Sequence, residues 1–514
     1  MRIRILPICL VALFLTISPG DVWSAPSSQS LYPRLDRPPV ESAGKERDRQ
    51  SAEALAAAQD AELFHRGYKL YADGSYAEAS VTFFQFLSEQ TPDVTDYEWA
   101  EFFFGLSLEQ LGYSHAAVDT LTSVMTRKPN PKIVSYTLEV LELISRTMAF
   151  DSDLLINRGV CDQSYGFIDG EMADFVHYYQ GEYDWEHGLF EWGDDHFKQI
   201  ETESHYYYKY LFKRALRRLY EGNVDAAIAD LKQVILRADS GSILKDDARK
   251  TLARLYYEKG EFAKADFLYQ QIEMNIVEQA QNLLERAWSH YRIGDPERAM
   301  GLLYSFEAPS YTHSFTPEFY ILKSFIYKDV CHYKKAMEVI GHFKERYGKA
   351  IDAIYQRRPP QENQAMLLVI LNKPRIKNRW RFLKLLDKEK LRIENETDAA
   401  LKAYLEELYT LKIEEAETKF RILILDEYEK MANEMLRFEE EAHLMEYEIG
   451  LDMYQRVYDY HLSKEKSEEI SSEDERKKAV YQFQGEFWND ELDDYKVVLP
   501  NKCENVEEWD IFFK

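Results

Sequence analysis

A chain of 514 residues, 45% hydrophobic and 14% aromatic, is long and apolar enough to bury the cores of two or three domains. Its net charge of −26 excludes a surface shaped for nucleic acid or anionic headgroups and favours basic partners.

The first 25 residues predict a signal peptide. Arg2 and Arg4 precede an apolar run, Ile5 to Ile17, too short to span a bilayer, and small residues follow at Ser24 and Ala25. Cys9 lies in this run without the small residues that precede a lipoprotein processing site. Cleavage removes two positive charges and one negative, leaving −27. Residues 26–50, rich in Pro, Ser and charge, predict a flexible leader. No later stretch approaches 18 apolar residues, so no integral span is expected after cleavage, and the product is expected to be exported, periplasmic or envelope-associated.

From Ala61 to Gly348 a cadence recurs. Turn residues stand at Gly74, Gly112, Gly222, Gly260, Gly294 and Cys331, with spacings of 38, 38, 34 and 37 within the runs. Five places after each stands an alanine: Ala79, Ala117, Ala227, Ala265, Ala299 and Ala336. Nine places after stands a large residue: Phe83, Leu121, Leu231, Tyr269, Leu303 and Ile340. Seven places before stands a small one: Gly67, Gly105, Ala215, Ala253, Ala287 and Ser324. Antiparallel helices approach closely only where one presents a small side chain, so each unit predicts a helix, a turn and a second helix. Pro92, Pro129 and Pro309 mark helix ends. The repeats form two blocks, 51–148 and 208–350, around an irregular segment, 149–207. That segment contains DSDLLINRGVCDQSYGF, which breaks helical periodicity, and a diverged unit with its turn near Gly181 or Tyr183.

Beyond Gly348 the cadence stops. Residues 351–462 predict long helices, with a heptad seam at Ile424, Tyr428, Met431, Met435, Phe438, Ala442, Met445 and Ile449 that resumes at Met453, Val457 and Tyr460. The expected partner is the chain itself, 390–412 folding back on 420–460; pairing of two molecules is the alternative. Residues 463–478 predict a charged loop. Residues 479–514 predict an aromatic tail docked on the long helices, with Trp488 as anchor and a short strand in LDDYKVVL. Cys161, Cys331 and Cys503 permit one disulfide without indicating which, and Cys331 reads as a small buried filler.

These units resemble the tetratricopeptide repeat family, most plainly at Leu252, Ala253, Tyr256, Gly260, Phe262, Ala265 and Tyr269. The family's tryptophan is missing from most units, and Cys331 replaces a turn glycine. The resemblance implies an all-α, right-handed helical solenoid, here followed by a long-helix, coiled-coil-like region and a short docked tail. Segments bearing Trp288, Pro309, Pro317, Glu318, Cys331, Gly485, Trp488, Asp490, Glu491, Leu492, Tyr495 and Cys503 are similar to large exported repeat proteins of delta-proteobacterial envelopes, some of them associated with gliding motility. That similarity implies an envelope scaffold and brings no catalytic residue.

No HExxH, GxSxG, P-loop, GxGxxG, EF-hand or CxxC motif occurs, and no cofactor is expected. The densest set of potential ligands is His177, His187, His196 and His205 with Glu182, Asp184, Glu186, Asp194 and Asp195. The histidine spacings fit no familiar zinc pattern, although His187 and Glu191 could share a helix face. The expected function is a non-catalytic scaffold binding protein partners or peptide segments. Candidate contacts are Lys69, Glu109, Arg218, Arg254 and Arg292 on first helices, Trp185 and Trp192 in the irregular segment, and Phe487, Trp488 and Tyr495 in the tail. The alternative is a cell-wall or glycan-processing hydrolase or lyase with its site in residues 150–205.

Overall fold

The computed structural model describes residues 62–464, except 95, 128, 240–241, 273–275 and 312–313, together with residues 496–504. The residues read as signal peptide and leader, those read as charged loop beyond Lys464, and tail residues Phe487, Trp488 and Tyr495 lie outside the described residues. Among those described, regular structure is entirely helical, and no helix is long and apolar enough to cross a membrane.

The helices pack in consecutive pairs, and the turns show why. Helices α1 (62–72) and α2 (Tyr76–Glu89) meet at Gly74, whose φ is +82°. The Gly74 N–H donates to the Tyr71 carbonyl and the Ser75 N–H to that of Leu70, a Schellman closure that requires a left-handed residue. The same two bonds recur at Gly112 between α3 (Tyr97–Gln110) and α4 (Ser114–Thr126), and at Gly222 between α8 (His205–Tyr220) and α9 (Val224–Arg237). They recur at Gly260 between α10 (Ile243–Glu258) and α11 (Phe262–Tyr269), and at Gly294 between α12 (Ile276–Ile293) and α13 (Pro296–Ser305). Cys331 closes α14 (Pro317–Asp329) onto α15 (Tyr333–Tyr355) in the same way, at φ +60°. The alanines five places on are fully buried.

The diverged unit is present with its turn elsewhere. Helices α6 (Gly170–Glu186) and α7 (Phe190–Phe197) close at Gly188, not at Gly181 or Tyr183. Gly181 is the small residue before the turn, Gly193 takes the alanine position and Phe197 the large one. A Cβ on Gly181 would lie 2.9 Å from the Phe197 ring, and one on Gly193 2.4 Å from the Trp185 indole. Trp185 fills the space an alanine methyl would take, so the cadence survives with its marker erased. The interval from Gly112 to Gly188 is twice that from Gly74 to Gly112. It holds α5 (Pro131–Thr147) and a π-helix, Asp153–Cys161. The π-helix falls on the break in periodicity, and it buries Leu155, Ile156, Gly159 and Val160.

Two compact units result. One comprises the described residues up to Lys213 with Pro374–Ile422; the other comprises Arg214–Lys373 with the described residues from Leu423 onward. Residues 351–462 form no body of their own. They contain α16 (Gln364–Asn372), α17 (Pro374–Arg392) and one unbroken 66-residue helix, α18 (Ala399–Lys464). The expected fold-back of 390–412 on 420–460 is therefore overturned, because 399–464 never turns. In the first unit Leu386, Leu401, Leu405 and Tyr409 join the core of Phe83, Phe103, Leu121 and Phe175. In the second, the seam residues Met435, Phe438, Ala442, Met445 and Ile449 are buried with Leu303, Leu322, Ile340 and Phe343. The heptad seam covers the chain's own repeat helices.

The described part of the tail carries no strand and docks on α13 and the α14–α15 turn. The Val497 N–H donates to the Glu297 carbonyl (3.1 Å), the Lys502 N–H to that of Val330 (3.1 Å), and Leu499 is buried. Cys503 forms a disulfide with Cys331, so Cys331 is a covalent anchor rather than a filler.

Two outcomes test this packing. Ala265→Leu should overpack α10 against α11 and lower the unfolding free energy by about 1–3 kcal/mol; an unchanged melting midpoint would contradict the contact. Cys503→Ser should lower it by about 2–4 kcal/mol. Reductant should then destabilise the wild type but not the variant.

Candidate functional site

The segment richest in chemistry-bearing residues is α6–α7 with the π-helix. His177 and His196 come together, Nδ1 to Nδ1 at 3.1 Å, and His196 Nε2 lies 3.7 Å from Asp184. Burial lowers both histidine pKa values, which favours the neutral rings. His187 instead stacks on Tyr183, at 4.1 Å between ring centroids, and His205 lies against Tyr206. His187 and Glu191 fall on opposite sides of the Gly188 turn, so they do not share a helix face. Among the described residues no three His, Cys, Asp or Glu side chains gather as a metal requires. Burial, with Asp184, Glu182 and Glu186 nearby, pushes the Cys161 thiol up to about 12. Trp185 is half-buried: its indole N–H donates to Asp194 (3.0 Å) and its ring meets Phe197. Trp192 is exposed beside exposed Leu189 and Phe190.

The first-helix candidates separate into two kinds. Lys69 and Arg292 are exposed, with the Arg292 guanidinium 5.1 Å from the Phe262 ring centroid, and Glu109 is half-buried. Arg218 bonds Asp230 (2.5 Å), which also takes a bidentate pair from Arg214. Arg254 makes a bidentate pair with Glu285, joining α10 to α12. These two arginines are engaged by carboxylates of their own stack, one buried and one partly so.

A second polar cluster lies at the start of α4, and sequence reading missed it because its members are far apart in the chain. The Glu389 carboxylate of α17 accepts the N–H groups of Ser114 and His115, both at 3.1 Å, and the Tyr409 hydroxyl of α18. A carboxylate there satisfies free N–H groups at the positive end of the helix. Arg392 donates to the Gly112 carbonyl, and Lys412 pairs with Asp151. Beside this cluster Ser114, His115, Asp151 and Phe382 line a cavity of about 10 Å³, space for one water. Burial lowers His115 to about 4.

Burial pushes Glu389 up to about 7, against the pull of Tyr409 and the two N–H groups. A carboxyl raised on folding contributes stability that is complete below its unfolded value, 4.5, and lost as pH rises through about 7. Glu389→Gln removes that loss. Relative to wild type, the variant should gain on the order of 3 kcal/mol between the two pH values, read from urea titrations at fixed pH. A flat difference would show that the carboxyl is ionised throughout.

Among the described residues an extended apolar feature lies on the surface of α18. Leu444, Tyr447, Leu451, Tyr454 and Tyr458 are between 42% and 69% exposed. Their spacing alternates three and four, and at 100° per residue they lie opposite the buried seam. Its signal was present in the sequence, in the same alternation that marked the seam, but one helix was read for one face. No protein-family model matches this chain, and no curated protein matches it.

Proposed function

We propose that this chain is a non-catalytic protein-interaction scaffold of a bacterial cell envelope, a right-handed tetratricopeptide-type solenoid that presents α18 to its partners. The outward stripe of α18 carries this reading. Five large apolar side chains in heptad spacing on an exposed face are what a partner helix needs. The helix pairs support it differently: Arg218 and Arg254 hold the stack together, which moves recognition towards α18, Trp192 and the exposed Lys69 and Arg292. The Cys331–Cys503 disulfide and the predicted signal peptide both support an oxidising compartment.

The test is cross-linking in cells followed by affinity purification, comparing wild type with Leu444→Glu/Leu451→Glu. Both residues are exposed, so the variant should fold. It should lose cross-linked proteins that the wild type retains. Identical cross-linked sets would overturn α18 as the binding surface.

A further inference from the structure

We propose that Cys503 is a thiol-exchange site: the thiolate of a protein dithiol attacks its sulfur, opens the Cys331–Cys503 bond and releases residues 496–504 while the helix pairs stay folded. The proposal goes beyond the scaffold reading and stands whatever α18 binds.

The first observation is the kind of contact that seats the tail. Val497 and Lys502 donate main-chain N–H groups to the Glu297 and Val330 carbonyls, and the Leu499 N–H donates to Glu297 Oε1 (3.3 Å). The His332 Nε2 lies 2.8 Å from the Pro500 carbonyl. Within 496–504 only Leu499 is buried, while Lys496, Val498, Pro500, Asn501 and Glu504 are exposed. Each such hydrogen bond replaces one to water and adds little net, whereas every residue fixed costs backbone entropy. A segment with one buried side chain opens locally at low cost. The covalent bond is what keeps it shut.

The second is that the stack does not use the bond. The α14–α15 pair closes through the same two turn bonds as the pairs closed at glycine, and Ser324, Ala336 and Ile340 are fully buried against one another's helices. Cys331 holds φ +60°, a conformation that is free for glycine and strained for any residue with a β-carbon. The turn gains nothing from a thiol. The disulfide does.

The third is that the two sulfurs are unequal. Cys331 is fully buried, whereas Cys503 is partly exposed, with its Sγ 3.7 Å from the Asp329 carbonyl. An incoming thiolate therefore meets Cys503, and Cys331 is the leaving group. Cys331 stands two residues before the first residue of α15, where the helix end favours a thiolate, and the Tyr333 hydroxyl, which donates to Asp452, lies 3.4 Å from its sulfur. A leaving thiol stabilised in this way departs faster.

The chemistry balances as an exchange. A bond forms from the attacking sulfur to Cys503 as the Cys503–Cys331 bond breaks, and the electron pair leaves on Cys331. The reductant's second thiolate then attacks its own sulfur in the mixed disulfide and releases Cys503. The two protons lost by the dithiol end on Cys331 and Cys503; the protein disulfide is reduced and the dithiol oxidised by two electrons. The dithiol comes from outside the chain, because Cys161 lies in the other compact unit and burial holds its thiol protonated.

The experiment incubates the mature full-length protein, without denaturant, with an excess of a Cys-x-x-Cys oxidoreductase whose second cysteine is replaced by serine. A mixed disulfide should accumulate, and peptide mass spectrometry should place it on Cys503, with Cys331 a free thiol. With the intact oxidoreductase, hydrogen exchange should show loss of protection at the Val497, Leu499 and Lys502 amides, while α13, α14 and α15 keep theirs. Cys503→Ser should show the same loss with no reductant present. A mixed disulfide on Cys331, none formed without denaturant, a tail still protected in Cys503→Ser, or α14 and α15 losing protection together with the tail would each overturn the proposal.

Discussion

A contact between a small residue and a large one sets the geometry of the helix pairs. The small residue seven places before each turn receives the large side chain nine places after it. At Gly67, Gly105 and Gly181 the fit is so close that an added Cβ would come within about 3 Å of the ring of Phe83, the side chain of Leu121 and the ring of Phe197. Ala215, Ala253, Ala287 and Ser324 hold the same place and are fully buried. The left-handed turn residue brings the two helices back at the angle that makes this contact possible. The ion pairs Arg254–Glu285 and Arg286–Asp266 then tie one pair to the next.

The long helix follows a different logic. α18 is apolar on two opposite faces, so periodicity summed around it nearly cancels, and its length is sustained by what it covers. Its buried seam brings acids with it: Glu448 reaches Lys328, Glu446 reaches Lys344, Glu427 reaches Lys373 and Asp452 reaches the Tyr333 hydroxyl. Part of the chain's negative charge is therefore neutralised inside its own units. Leu444, Tyr447, Leu451, Tyr454 and Tyr458 remain outward on this stretch, among exposed His443, Gln455 and Asp459.

The helix pairs were legible because a left-handed backbone and a close approach each constrain one residue at a fixed position. All six turn residues read from the sequence have positive φ, including the cysteine. Gly188 escaped because Trp185 turned the alanine five places on into a second glycine. The partner of the heptad seam could not be read, since a seam states that a face is covered and not by what. The arginines were misjudged for want of their partners. Asp230 and Glu285, which engage Arg218 and Arg254, stand 12 and 31 residues away, beyond what helical spacing within one element reveals. The Glu389 cluster joins residues some 275 positions apart, and no local pattern announces it.

The disulfide also sets a problem of timing. Cys331 and Cys503 are separated by 172 residues. At about 5–20 residues per second, the second thiol is synthesised roughly ten to thirty seconds after the first. Cys161 is made earlier still and is a competitor for Cys331. In the folded unit its sulfur lies against the Tyr179 carbonyl, half-buried and held protonated, a poor nucleophile for exchange. Folding around α6 therefore takes the wrong thiol out of circulation. The N-terminal unit guards the fidelity of a bond in which it has no part.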